Sequence, residues 1–186
     1  MKVLVAYVSG YGATAEVAKE IAQVLARDHQ VEVKSAAAVK SLAPYEAVVL
    51  GSSMRTGRWL GGLPRFLGRF HRELTEKSLA LFAVCLTART LEGSRRVLSE
   101  SLPRLLARHP QISPVATAAF GGVLDFERYN LALRMLMRRM AAEDGLPTSG
   151  LVDLRNWQAI REWAAALAAQ LSDAGTKAVA PDPPVG

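Results

Sequence analysis

VLVAYVSGYGATAEVAKEIA, residues Val3 to Ala22, sets an apolar run, a loop of small residues and a helical pattern end to end. The run Lys2 to Val8 is β-branched and apolar, as a strand buried on both faces is. From Thr14 to Arg27 the apolar residues recur at helical spacing. Between them lies SGYGAT, Ser9 to Thr14, with two glycines, two aliphatic hydroxyls and no charge. Gly10 and Gly12 let the backbone turn tightly with its N–H groups pointing inward, and Thr14 falls where a hydroxyl could cap the helix and bond a ligand oxygen. The helix dipole adds positive potential without a side-chain charge. The loop lacks the Gly-Lys-Ser/Thr ending of a triphosphate site, and Ala15 breaks a G-x-G-x-x-G register. What remains is a loop fitted to one terminal phosphate monoester.

Outward from this stretch, strand-like and helical patterns alternate. QVEVKS (30–35) alternates as a half-exposed strand does, while EAVVLGSS (46–53) and LALFAVCL (79–86) read as buried strands. SPVATAAFGGVL (113–124) reads as a last strand. Helical patterns cover Leu60 to Glu73, Ser94 to Arg108, Arg128 to Met140 and Asn156 to Leu171. Strict alternation argues for a parallel sheet with helices on both faces, in an order that periodicity does not reveal. The Pro/Gly/Ala-rich tail, 173–186, is expected to be disordered.

The chain has 186 residues, 50% of them hydrophobic, enough for one domain with one core. No apolar stretch approaches the roughly 20 residues of a membrane-spanning helix, so a cytoplasmic protein is expected. The single cysteine, Cys85, sits in an apolar run and reads as a buried core thiol. His29, His71 and His109 are scattered without ligand spacing, so no metal is expected. The net charge is +6. Its arginines crowd into 55–72, 89–108 and 134–139, which suits an anionic partner. No helix with polar base-reading residues stands out, and nucleic acid is not expected.

In open parallel sheets, ligands bind beyond the carboxyl ends of the strands. The four loops there are SGYGAT, GSSMRTGRW (51–59), TARTLEGS (87–94) and FGGVLDFE (120–127), all rich in glycine, serine or threonine. Their coincidence points to one site. In YNLALRMLMRRM (129–140), Arg134 and Arg138 share a helix face, with Arg139 adjacent. A basic amphipathic helix over 128–140 suits peripheral contact with an anionic membrane face.

SGYGAT resembles the phosphate loop of the flavodoxin family, of pattern Ser/Thr-x-x-Gly-x-Thr. The resemblance implies a flavodoxin-like α/β three-layer sandwich, with a five-stranded parallel sheet of order 2-1-3-4-5 and FMN as cofactor. It places Ser9 and Thr14 on the phosphate by their hydroxyls, and Gly10, Tyr11, Gly12 and Ala13 by their backbone. Ser52, Ser53, Met54, Arg55, Thr56 and Gly57 would meet the flavin ring, with Arg55 or Thr56 near its N1. Thr87, Ala88 and Arg89 would flank the ring's other side, with Gly121 and Gly122 at its edge. Trp59 is equally suited to flavin stacking and to packing beneath the second helix.

YEAVVLGSSMRTGRW, CLTAR, FGGVLDFERYNLALRMLMRRMA and VDLRNWQAIREWA narrow this resemblance to the menaquinone-dependent protoporphyrinogen IX dehydrogenases, flavodoxin-like enzymes of heme biosynthesis. The implied organisation is one FMN-binding domain, 1–172, with an insertion at about 124–150. The implied reaction is oxidation of a porphyrinogen-like substrate with a quinone as acceptor. The flavin carries that chemistry, so no catalytic side chain is required. Arg58, Trp59, Arg134 and Arg138 are the candidate substrate contacts. An electron-carrier flavodoxin, or a quinone reductase with another substrate, is the alternative. The missing tyrosine in TARTLEGS and the basic charge weigh against a carrier.

Overall fold

A computed structural model describes residues 1–55 and 57–179. Thr56 and positions 180–186 of the expected tail lie outside the described residues. In chain order the elements are β1 (Lys2–Val8), α1 (Ala13–Leu25), β2 (Gln30–Ser35), β3 (Ala47–Arg55), β4 (Arg58–Trp59), α2 (Gly62–Arg69), α3 (His71–Thr75) and β5 (Ser78–Val84). There follow α4 (Leu91–Arg96), α5 (Leu102–Leu106), β6 (Ala116–Phe120), β7 (Val123–Asp125), α6 (Leu131–Glu143), β8 (Leu151–Asp153) and α7 (Trp157–Val179).

The main sheet runs β2-β1-β3-β5-β6, with β4 folded back on β3. Its five long strands pair in parallel. With β4 left out of the count, this is the order 2-1-3-4-5. The apolar runs are continuous because each strand feeds two cores. Val3 and Val5 of β1, Val49 of β3, and Phe82 of β5 pack on one face under α1 and α7. Leu4, Val48, Leu50, Leu79 and Leu81 pack on the other, against Leu63, Phe66 and Leu67 of α2 and Leu105 of α5. The two-residue period of a strand divides each run between the faces. β2 is the half-exposed edge. Glu32 there, bonded by Lys34, Tyr45 and Lys2, has its carboxyl held down at about 2, and such charges discourage edge-to-edge pairing.

The elements depart from the sequence reading at several places. Residues 60–73 form two helices, α2 and α3, that meet at Phe70. The helix expected over 94–108 divides into α4, a wider π turn (Val97–Ser101) and α5. Pro103, which has no N–H to donate to the preceding turn, sits at the junction. The last strand stops at Phe120, and β7 leaves the main sheet to pair antiparallel with β8. Gly121 permits that crossing, because a Cβ there would lie 2.0 Å from the Leu154 carbonyl oxygen. Finally, α6 starts at Leu131 rather than 128, with the Asn130 side chain accepting from Leu133 N–H at 2.9 Å. The chain between β6 and α7 therefore makes an excursion, β7–α6–β8. Its own small core is Leu124, Phe126, Tyr129 and Ala141. α7 continues to Val179, past the boundary expected at 172.

Candidate cofactor site

Strand order reverses between β1 and β3, and the loops after those strands meet there. Gly12 has φ 103°, a left-handed conformation that favours glycine. The Ser9 hydroxyl accepts the Gly12 N–H at 3.0 Å and closes the turn. α1 begins at Ala13, so Thr14 stands one residue inside the helix and does not cap it. Thr14 is fully buried instead, and its hydroxyl meets that of Ser53 at 2.6 Å. That bond ties the phosphate loop to β3. The first N–H groups of α1 have no partners within the helix, and its dipole raises the potential at the turn.

From β3, Arg55 crosses to the same loop. Its guanidinium lies 4.8 Å from the Tyr11 ring centroid, and Nη2 lies 2.6 Å from where a Cβ on Gly10 would stand. A side chain at position 10 would therefore displace the Arg55 guanidinium from its present place. Ser52 is buried and donates to the Ser53 carbonyl at 2.9 Å. Met54 is turned inward among Ala83, Cys85, Ala88 and Val97. Gly57 turns the hairpin at φ 72°. Its carbonyl accepts from the Ser101 hydroxyl, and Trp59 donates its indole N–H to the Ser101 carbonyl at 3.2 Å. Trp59 is therefore engaged in packing against the π turn.

After β5, residues 86–89 form a tight turn. Burial pushes the Cys85 thiol up in pKa, which keeps it protonated and inert. Ala88 is buried and Thr87 exposed. Arg89 pairs with Asp144, at the end of α6, at 2.8 Å. Gly121 and Gly122 lie against the Leu154 carbonyl and the Cys85 backbone respectively. Arg58 is exposed and makes no side-chain bond among the described residues.

The arginine pair on α6 is engaged by backbone carbonyls of the excursion, Arg134 half-buried and Arg138 exposed. Arg134 donates to the carbonyls of Glu127 and Tyr129, and Arg138 to that of Thr148, so both hold the excursion together. The exposed side of α6 carries Leu131, Met135, Leu136 and Met140. Sequence reading missed three residues that meet the phosphate loop. Arg128 donates to the Tyr11 carbonyl at 2.8 Å, and the Tyr129 ring stands edge-on to Tyr11 at 5.6 Å. Arg155, nearly buried, pairs with Glu16 of α1 and with Asp153, both at 2.7 Å. No local spacing announces these contacts; an arginine between Leu154 and Asn156 in VDLRNW was the one available hint.

On the β2 flank of the loop, a cavity of about 430 Å³ that Ser9 also lines opens between α2 and the ends of β1 and β2. Among the described residues no acid, histidine or cysteine group is arranged to hold a metal ion, and no helix is long and apolar enough to cross a membrane.

A charge-free glycine turn at a helix start, placed where strand order reverses, defines a mononucleotide-binding α/β protein. The donors suit a phosphate monoester: helix-start N–H groups and the Ser9 hydroxyl, with the Arg55 and Arg128 guanidinium groups at the rim. The chain belongs to the flavodoxin family, whose flavodoxin-domain model matches residues 4–149, and its cofactor is FMN. The protoporphyrinogen IX dehydrogenase [quinone] of Leishmania major is 31% identical over 130 residues, 69% of this chain and 56% of that protein. The aligned chain thus spans little more than half of that relative. A flavodoxin from the domain Archaea shares the fold at TM-score 0.55 and 18% identity, over 92% of this chain and 99% of its own. The flavodiiron core of Flv1 from Synechocystis aligns at TM-score 0.57 and 13% identity, over 94% of this chain and 36% of its own.

Proposed function

We propose that the protein is an FMN-dependent dehydrogenase that oxidises a porphyrinogen, with protoporphyrinogen IX as first candidate, and uses a quinone as acceptor. The observation that carries this reading is the 31% identity to the Leishmania enzyme. When bound, FMN supplies hydride acceptance and onward electron transfer. The chain's own residues bind and orient. Ser9 and the backbone of Gly10 to Ala13 receive the phosphate, and Thr14 fixes that turn to β3 through Ser53. Ser52, Ser53, Arg55 and Gly57, with Thr87 to Arg89 and the Gly121–Gly122 pair, border the ring. Met54 and Ala88 support those loops from beneath, because both side chains are buried.

Of the four candidate substrate residues, Arg58 has an exposed, unengaged guanidinium suited to a substrate carboxylate. Trp59, Arg134 and Arg138 act through the positions of the hairpin and the excursion. The exposed apolar side of α6, with Arg139 beside it, is suited to peripheral contact with the membrane that holds a lipophilic quinone.

An anaerobic assay tests the proposal: FMN-loaded protein is mixed with protoporphyrinogen IX and a menaquinone analogue, and porphyrin fluorescence is followed. Quinone-dependent porphyrin formation supports the reading, and none above the FMN-only background overturns it. In that second case, rapid electron exchange with a redox protein, with two separated one-electron potentials, would establish a carrier instead.

A further inference from the structure

We propose that Arg128, supplied by the excursion, is a positioning residue of the phosphate loop, so that FMN affinity depends on a segment 117 residues away in the chain. The inference rests on the assignment of FMN as cofactor. Its core is one peptide unit, between Tyr11 and Gly12. A trans peptide points its C=O and N–H in opposite directions. Here the carbonyl of Tyr11 accepts from Arg128 Nη1 at 2.8 Å, while the N–H of Gly12 donates to Ser9 Oγ at 3.0 Å. Both ends of the unit are held, and from opposite sides.

Without Arg128 the unit is held at one end only. Gly10 and Gly12 leave this stretch exceptionally free to rotate, and Gly12 already occupies a left-handed conformation. A flip of the plane would disturb the N–H groups that follow it into α1, the donors a phosphate needs. Holding the plane in advance removes an ordering cost from binding.

Arg128 is itself anchored. Asp125 pairs with its Nε at 3.0 Å, and the next residue, Tyr129, is buried with its ring against both Tyr11 and Phe126. Tyr11 is therefore held by Arg55 on its ring face, Tyr129 at its edge and Arg128 on its carbonyl. Arg128 also brings a positive charge to a loop that has none of its own, and this attraction weakens as salt rises.

The test is titration of flavin-free protein with FMN and, separately, with riboflavin, which lacks the phosphate, followed by quenching of flavin fluorescence. The variants are Arg128→Ala, Arg128→Lys and, as a charge-matched control on an exposed site, Arg139→Ala. Arg128→Ala is expected to weaken FMN about tenfold, the scale of one lost charged hydrogen bond. Riboflavin affinity is expected to move less than twofold, and Arg139→Ala to leave both unchanged. Arg128→Lys recovers part of the loss, and the salt dependence of FMN binding is shallower in Arg128→Ala than in the parent.

Amide exchange in flavin-free protein gives an independent reading, with Gly12 N–H expected to exchange faster in Arg128→Ala while the β1 and β3 amides stay protected. Unchanged FMN affinity in Arg128→Ala overturns the inference and leaves the cofactor assignment standing. Equal losses for FMN and riboflavin also overturn it, because they mark general damage. A parent protein that binds neither flavin overturns the cofactor assignment and this inference with it.

Discussion

In the main sheet, Leu4, Leu50 and Phe82 have no exposed surface, and each lies between a strand and a covering helix. In the excursion, Ala141 is the one buried residue of α6, while Leu131 is 73% exposed and Met135 64%. Apolar burial sustains the first region. The second has a core of a few side chains, supplemented by guanidinium-to-carbonyl bonds from Arg134 and Arg138 and by ion pairs of Arg89 and Arg155. A segment held by a small core and half-exposed polar ties opens at lower free energy than the sheet beneath it. The loop after β1 lies on the seam between the two, tied to β3 through Ser53 and to the excursion through Arg128 and Tyr129.

The largest expected effect lies in the sheet. Phe82→Ala removes a fully buried ring beside Gly51, Phe120 and Trp163, and is expected to cost about 3–5 kcal/mol. Urea denaturation measures this, and a loss below about 1 kcal/mol would break the contrast drawn above. Next comes the seam. In Gly121→Ala the new methyl meets the Leu154 carbonyl oxygen and carbon, at 2.0 and 2.7 Å, and the two backbones must separate. A loss of about 1–3 kcal/mol is predicted, and an unchanged melting temperature would show that the crossing yields freely.

Arg155→Ala releases two carboxylates that water can partly resolvate, since Glu16 is 58% exposed and Asp153 32%. About 1–2 kcal/mol is expected. Amide exchange sharpens the comparison here: 151–153 should lose protection while β1 and β3 keep theirs. Equal loss in both regions would mean that they unfold as one.

Acid gives a smaller, graded effect. Hydrogen bonds from Arg155 hold the Asp153 carboxyl below the usual aspartate range. A depressed folded pKa means a stabilising contribution that is complete above the unfolded value, about 4. It disappears as pH falls through the folded value, so neutral and mildly acidic protein should behave alike. Trp157 reports the change, because its indole donates to Asp153 and the Arg155 guanidinium lies over its ring at 4.3 Å. Its fluorescence should shift only in strong acid, and Asp153→Asn should lose that transition; a shift between pH 7 and 5 contradicts the assignment. Smallest of all, Leu131→Ser with Met135→Ser should change stability by less than about 0.5 kcal/mol. The same pair should weaken sedimentation with anionic vesicles, and undiminished sedimentation removes α6 from the membrane proposal.

The strands β1, β3 and β5 were legible because a strand buried on both faces writes an uninterrupted apolar run. The tight turn between β1 and α1 was legible through Gly10 and Gly12. The strand order came from family resemblance, since periodicity records what a residue faces and not which strand lies beside it. Thr14 was placed in the right loop with the wrong partner. A helix start shifted by one residue turned its hydroxyl from capping to Ser53. Helical spacing predicts that Arg134 and Arg138 share a side, but the carbonyls they bond lie on neighbouring turns and leave no trace in that spacing.

By itself, then, the sequence determined the α/β class, the buried strands and a loop suited to one phosphate, because these rest on local pattern and on conformations that glycine favours. The tertiary structure alone decided that Ser53 would meet Thr14, that Arg55 would lie over Gly10, and that Arg128 and Arg155 would close on the phosphate loop and α1 from 117 and 139 residues away. The first two contacts depend on the pairing of β1 with β3 and the last two on the excursion after Gly121. No run of neighbouring residues encodes a meeting between segments so far apart.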